Sequence, residues 1–178
     1  MGFFDRFREK RHHADIASAL YVTTVQQSRL PRFYLELNVP DTVDGRFDMI
    51  VLHVMLLIRR LRGEGKLAAA VSQQLLDLLL ADMDRNLREM GIGDMSIGKH
   101  VKKVAKAFYG RAEILESGLE TGVHGLSSGL LETLYRTIDD AKEPAIILAT
   151  YVIGTDQHLA DQSSEDILAG HIRFDIER

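Results

Sequence analysis

The chain has no cysteine. That absence removes disulfides, thiolate nucleophiles and cysteine-ligated zinc together, and it fits a protein of a reducing compartment. No apolar run approaches the roughly 20 residues that a membrane-spanning helix needs. The longest, from Phe47 to Ile58, is already interrupted by Asp48 and His53. The opening stretch holds no apolar segment of secretory-signal length, and Asp5 and Glu9 do not suit an acid-poor transit peptide. Arg6 stands where a myristoylation motif would have Ser or Thr. The net charge of −4 gives no overall pull toward nucleic acid. A length of 178 residues and a hydrophobic content of 46% are enough for one domain with a substantial core.

What is present is organised around the apolar run. A helix hydrophobic on every side must be buried in a larger protein or lie in a membrane, and this one is too short to span. The sequence therefore predicts an all-α fold, a single-domain helical bundle packed around a buried central helix over about 45–62. Arg59, Arg60 and Arg62 end the run with positive charge, where the helix dipole favours cations. Ahead of it, Pro40-Asp41-Thr42-Val43-Asp44-Gly45 is a turn with helix-start chemistry, since Asp and Thr side chains accept bonds from the free amides of a first turn. The same segment fails as a calcium loop, because its ligand positions would fall on Pro40, Thr42 and Val51.

Apolar spacing predicts further helices over 14–28, 66–90 and about 94–119, with one or two turns around Phe33 to Leu37. Gly122, Gly125 and Gly129 mark a loop, followed by a short helix carrying Leu130, Leu131, Leu134 and Ile138, and then one from Pro144 to about Leu159. Ser164-Glu165-Asp166 is placed to cap a last turn, and the alternation of Ile172, Phe174 and Ile176 reads as an extended tail. The expected division is a basic, disorder-prone segment 1–13, one helical domain 14–170 and a tail 171–178. In the first of these, Phe3, Phe4 and Phe7 alternate with Arg6, Arg8, Lys10 and Arg11, a composition shared by weak interfacial anchors and by frayed basic termini.

Charge is unevenly placed. Lys99, Lys102, Lys103, Lys106 and Arg111 give the 94–119 helix a basic outer face, while Asp139 to the end carries nine acids against three bases. The basic face is either an ordinary solvated surface or the candidate partner-binding site, docking ribosomal RNA, lipid headgroups or an acidic protein. Asp82 falls on the stripe of Val71, Leu75 and Leu78, where the pattern asks for a leucine. It is read as a structural carboxylate, at least half buried and bonded to a cation or to amides of the Pro40 to Arg46 turn. Asp84 and Arg85 stand four residues before Arg88 and Glu89, the spacing of helix ion pairs. His53 is expected to be buried, neutral and hydrogen-bonded, because charging a buried ring costs desolvation.

The motifs of catalysis all fail on inspection. Gly93 to Lys99 matches G-x-x-x-x-G-K, but His100 replaces the magnesium-binding Ser or Thr and a helix precedes it instead of a strand. Gly125 to Gly129 matches G-x-S-x-G without the strand before it that a nucleophile elbow needs. No histidine pair at i, i+4 on a helix comes with a nearby acid, so no metal ligands are expected.

Two stretches carry a family resemblance. Pro40-Asp41-Thr42-Val43-Asp44-Gly45-Arg46-Phe47-Asp48-Met49-Ile50-Val51-Leu52-His53 is one, and Ala81-Asp82-Met83-Asp84-Arg85-Asn86-Leu87-Arg88-Glu89-Met90-Gly91-Ile92-Gly93-Asp94 the other. With Gly98-Lys99 and Ala107-Phe108-Tyr109-Gly110-Arg111, they closely resemble the ubiquinol-cytochrome c chaperone family over about Tyr21 to Arg111. The resemblance implies a non-enzymatic, all-helical assembly factor for ubiquinol-cytochrome c reductase, respiratory complex III, with newly made cytochrome b or another reductase subunit as client. It implies no catalytic residue, cofactor or small-molecule substrate. Mitochondrial members work with a small partner protein near the ribosomal exit. This chain resembles a bacterial relative, expected in the cytoplasm with peripheral contact at the cytoplasmic face of the inner membrane. The residues alone leave a second expectation, a nucleic-acid or ribosome-binding helical protein that uses the basic 99–111 helix.

Overall fold

The computed structural model describes residues 3–89 and 94–174, with side chains for 7–86, 88–89, 106 and 108–174. Among them every regular element is a helix: α1 (Phe3–Ser28), α2 (Pro31–Leu35), α3 (Val43–Leu61), α4 (Gly65–Glu89), α5 (Asp94–Thr133), α6 (Lys142–Ala160) and α7 (Ser164–Leu168). Every side chain of α3 from Asp48 to Leu57 is buried, and α1, α4, α5 and α6 all pack against it. It is the central helix that the apolar run predicts.

The turn before α3 shows how its start is set. Thr42 Oγ1 accepts from the Gly45 amide at 3.1 Å, which satisfies one of the free donors of the first turn. Gly45 has no space for a side chain, since a Cβ there would lie 2.0 Å from the Pro40 carbonyl oxygen. The chain thus folds directly back on the helix it begins. At the other end the arginines reach α6: Arg60 Nε donates to the Leu159 carbonyl at 2.8 Å and Nη2 to that of Gln162 at 2.7 Å, bonding carbonyls at and just beyond the end of that helix. Arg59 pairs with Asp156 at 3.0 Å and also with Glu116.

α1 contributes Ile16, Ala17 and Leu20 to the core, together with the buried hydroxyls of Thr24 and Ser28. Both hydroxyls donate to carbonyls of their own helix, Leu20 and Val25, so their burial leaves no unmet bond. The same helix runs back to Phe3, through the boundary expected near residue 13. On α4 the buried stripe is Ala68, Val71, Leu75, Leu79 and Met83. The predicted stripe through Leu78 to Asp82 is therefore displaced by one residue, and those two lie half-buried at its edge. α7 is capped by Ser163, whose Oγ accepts from the Glu165 and Asp166 amides, where Ser164 was expected to contribute. Ile172 and Phe174 are buried, so the first part of the expected tail belongs to the core.

The largest departure from expectation is α5. The glycines at 122, 125 and 129 predict a loop and a separate short helix, yet helix continues on both sides of one residue, Gly122 (φ 76°, ψ −166°). The two arms, 94–121 and 123–133, fold against each other. A Cβ on Gly118 would lie 2.8 Å from Leu126 Cα, and one on Gly129 would lie 2.3 Å from Ile114. These glycines are therefore packing residues that let two helices approach closely, and only Gly122 makes the turn.

Gly122→Ala, placed in a backbone region that is essentially glycine-only, should cost roughly 1–3 kcal/mol. Gly118→Ala should cost a similar ~1–3 kcal/mol by overpacking. Gly110→Ala is the control, since Gly110 is exposed on α5 with nothing within 4 Å of its Cβ position. It should stabilise by about 0.5–1 kcal/mol through helix propensity. Urea midpoints of the three variants measure the order.

Candidate functional site

Asp48 is the first polar residue on α3 after its opening turn, and its side chain is 5% exposed. Two arginines from elsewhere in the fold meet it: Arg111 of α5 with Nη2 2.6 Å from Oδ1, and Arg136, just beyond α5, with Nη1 3.4 Å from Oδ2. Arg136 also lies 3.5 Å from Asp44 and donates to the Thr133 carbonyl at 2.7 Å. Burial pushes the Asp48 pKa up, and the two arginines pull it down without cancelling the shift. Arg111 thus leaves the basic outer face to which the sequence assigns it. Its position on α5 turns it toward α3, because a carboxylate that deep needs a cation.

One turn further along α3, His53 is fully buried. Its Nδ1 lies 2.8 Å from the Met49 carbonyl, which accepts only, so that nitrogen carries the proton. Nε2 then accepts from the Tyr151 hydroxyl of α6 at 2.8 Å, and that hydroxyl accepts from the Gln27 amide of α1 at 3.0 Å. Phe33, Tyr151 and Phe174 surround the ring, with centroids 5.6, 5.8 and 5.5 Å away. Desolvation lowers the His53 pKa to about 4, with the Met49 bond pulling the other way. The buried, hydrogen-bonded histidine read from the sequence is the one the structure shows, and its desolvation favours the neutral ring.

The remaining motif residues are also structural in placement. Arg46 donates to Asp41 at 2.5 Å on the surface, and this bond lowers the Asp41 pKa. Asp84 accepts from Arg88 at 3.0 Å, at the predicted spacing, while Arg85 is exposed. Asp82 is partly buried, but its partner is neither a cation nor the Pro40 to Arg46 turn. The Tyr21 hydroxyl of α1 donates to Oδ2 at 3.1 Å. Burial, then the neighbouring Asp82, raises the Tyr21 pKa, so the phenol stays a donor. An edge position on α4 accounts for the difference, since a carboxylate that keeps some contact with solvent can be satisfied by one hydroxyl and water.

Among the described residues no group of three or more His, Asp or Glu could hold a metal ion, and no helix is long and apolar enough to cross a membrane. Ser127, centre of the G-x-S-x-G match, is buried and donates to the His124 carbonyl at 3.0 Å. A narrow cavity between α3 and α5 is lined by Val51, Leu52, Met55, Ile114, Leu126 and Leu130, with Asp48 and Arg111 beside them. Its one carboxylate is held by arginines. The partner-binding residues expected from the sequence lie on α5. Lys106 is exposed on α5, whereas the side chains of Lys99, Lys102 and Lys103 lie outside the described residues. A second surface was not singled out in the sequence: Ile146 and Ile147, side by side on α6, are 41% and 45% exposed. Its signal was present, because no charged residue occurs between Glu143 and Asp156.

Two measurements probe the buried centres. Between pH 6.5 and 4 the unfolded chain protonates His53 and the folded chain does not, so stability falls as pH drops, by about 3 kcal/mol at pH 4. Asp48, with a raised pKa, contributes with the opposite sign. The wild type minus His53→Gln difference in urea-derived stability, taken at pH 7 and pH 4.5, should isolate the histidine part. Arg111→Met should cost roughly 3 kcal/mol, and Asp48→Leu combined with Arg111→Met should recover most of it, since Arg136 at 3.4 Å alone compensates a buried carboxylate poorly. A double-mutant cycle reads the coupling.

The chain is similar to known proteins in both sequence and fold. The family described as ubiquinol-cytochrome C chaperone matches residues 35–174. The crystal structure of a Cbp3 homologue from Brucella abortus is similar at 32% identity and a TM-score of 0.85, over 96% of this chain and 95% of that one. Ubiquinol-cytochrome c reductase complex assembly factor 1 of Mus musculus is 24% identical over 98% of this chain and 60% of its own length. That of Homo sapiens is 24% identical over 94% and 56%. The chain thus spans less than two thirds of these two relatives. With the family matched across most of its length and the same fold in a solved relative, the chain belongs to the ubiquinol-cytochrome c chaperone family.

Proposed function

We propose that the protein is a non-enzymatic assembly factor for ubiquinol-cytochrome c reductase. The observation that carries this reading is the family match over residues 35–174, together with mammalian relatives whose names state that role. Cytochrome b is the proposed client, received at the cytoplasmic face of a bacterial inner membrane, with a small partner protein or the ribosome as further contacts. The cations Lys99, Lys102, Lys103 and Lys106 are the proposed docking face, since clustered positive charge speeds encounter with anionic partners and weakens with salt. Arg111 is left out, because its guanidinium serves Asp48.

Deleting the gene should lower the amount of assembled reductase on native gels. Unchanged assembly would remove the reading. Replacing Lys102, Lys103 and Lys106 with Gln should change stability by no more than about 0.5 kcal/mol each, as the proposed surface role of these lysines requires. Co-purification with cytochrome b should drop, and so should rescue of the deletion strain. Full capture and full rescue by the triple variant would make the lysines an ordinary solvated surface.

A further inference from the structure

α6 is apolar on both sides. Its inner face buries Ala145, Leu148, Ala149, Val152 and Leu159. Its outer face presents Ile146, Ile147 and Thr150, with Gly154 half-buried beyond them. The Thr150 hydroxyl donates to the Ile146 carbonyl at 2.9 Å, so its hydrogen-bonding need is met within the helix. Other large hydrophobic side chains exposed among the described residues stand singly on α1, α2, α3 and α5, which is ordinary for a protein surface. Among the described residues, only on α6 do two adjoin. A helix apolar all round normally has neighbours all round, and this one has them on one side.

Charge at the two ends says what could cover the other side. At the N-terminal end Asp139, Asp140 and Glu143 are exposed and outnumber the one exposed base among them, Lys142, and Asp161, Glu165 and Asp166 are exposed beyond the C-terminal end. Glu143, Ile146, Ile147, Thr150, Gly154, Gln157 and Asp161 recur at spacings of one, three and four, which places them along one side of the helix. The result is an uncharged strip of about 27 Å, at 1.5 Å per residue, with an acid at each end. We propose that this face docks an apolar helix flanked by Lys or Arg. Thr150 and Gly154 let a second helix approach closely, as small residues do between packed helices. Basic flanks are what membrane-spanning segments carry on the cytoplasmic side, so the occupant is the flanked end of a client's membrane segment. That identification rests on the assembly-factor reading, while the surface itself rests on α6.

The test uses the full chain and two synthetic probes, one Leu/Ala helix carrying Lys pairs at its ends and the same helix carrying Glu pairs. The Lys-flanked peptide should bind roughly tenfold tighter in fluorescence anisotropy, and its binding should weaken with salt. Ile146→Ser with Ile147→Ser should lose about tenfold in affinity at unchanged helical circular dichroism. Equal binding of the two peptides, or wild-type binding by the double variant, overturns the proposal. So does a wild-type dimer that the double variant dissociates in sedimentation, which would make a second copy the occupant. If deleting the gene impairs the reductase but the double variant restores it fully, the docking face is wrong and the assembly role stands. If deletion has no effect, the assembly role fails, and the peptide comparison still decides the surface.

Discussion

A helix that is apolar on every side cannot be half of anything. α3 needs cover from all directions, and α1, α4, α5 and α6 supply it. Its two internal polar residues then set terms for their neighbours. Asp48 draws Arg111 and Arg136 to the α5 side, and His53 draws Tyr151, and through it Gln27, to the α6 and α1 side. Each polar contact fixes a direction that apolar packing alone would leave looser, since a hydrogen bond has an angle and a methyl contact does not. The centre is thus oriented by a few bonds within a large apolar interface.

Much of this was legible in the residues. The apolar run located α3, the Thr42 to Gly45 turn located its start, and the depth of His53 foretold a neutral ring. Partners across space were not legible. Nothing in the spacing of Arg111 and Arg136 says that both turn toward Asp48, because the pairing depends on how α5 folds back. Asp82 is at least half buried as its spacing implies, but its partner differs for a related reason. A one-residue shift of the buried stripe on α4 moves it from the core to the edge, where a tyrosine suffices. Glycine misled most. At 118 and 129 its lack of a side chain serves close helix contact, and at 122 it serves backbone freedom, yet the letter is the same.

The surface is more divided than the modest net charge suggests. Lysines gather on the first arm of α5 in the sequence, while acids flank the outward face of α6. The buried centres lie away from these charges, on the sides of α3 that meet α1, α5 and α6. Their role is to keep α3 in register so that the outer faces of α5 and α6 stay where they are.

Phe174 has a further meaning for how the chain is made. It packs against His53 from a distance of more than a hundred residues along the chain, and Tyr151 does so from nearly as far. Synthesis proceeds from the N-terminus, so α3 emerges before three of the four helices that cover it, α4, α5 and α6, have been made. A stretch as apolar as Met49 to Leu57 would meet solvent, or a neighbouring nascent chain, until α6 and the 171–174 segment arrive. Contacts of such high sequence separation are slow to close. A protein whose family is named for sheltering others therefore passes through an interval in which it needs shelter itself.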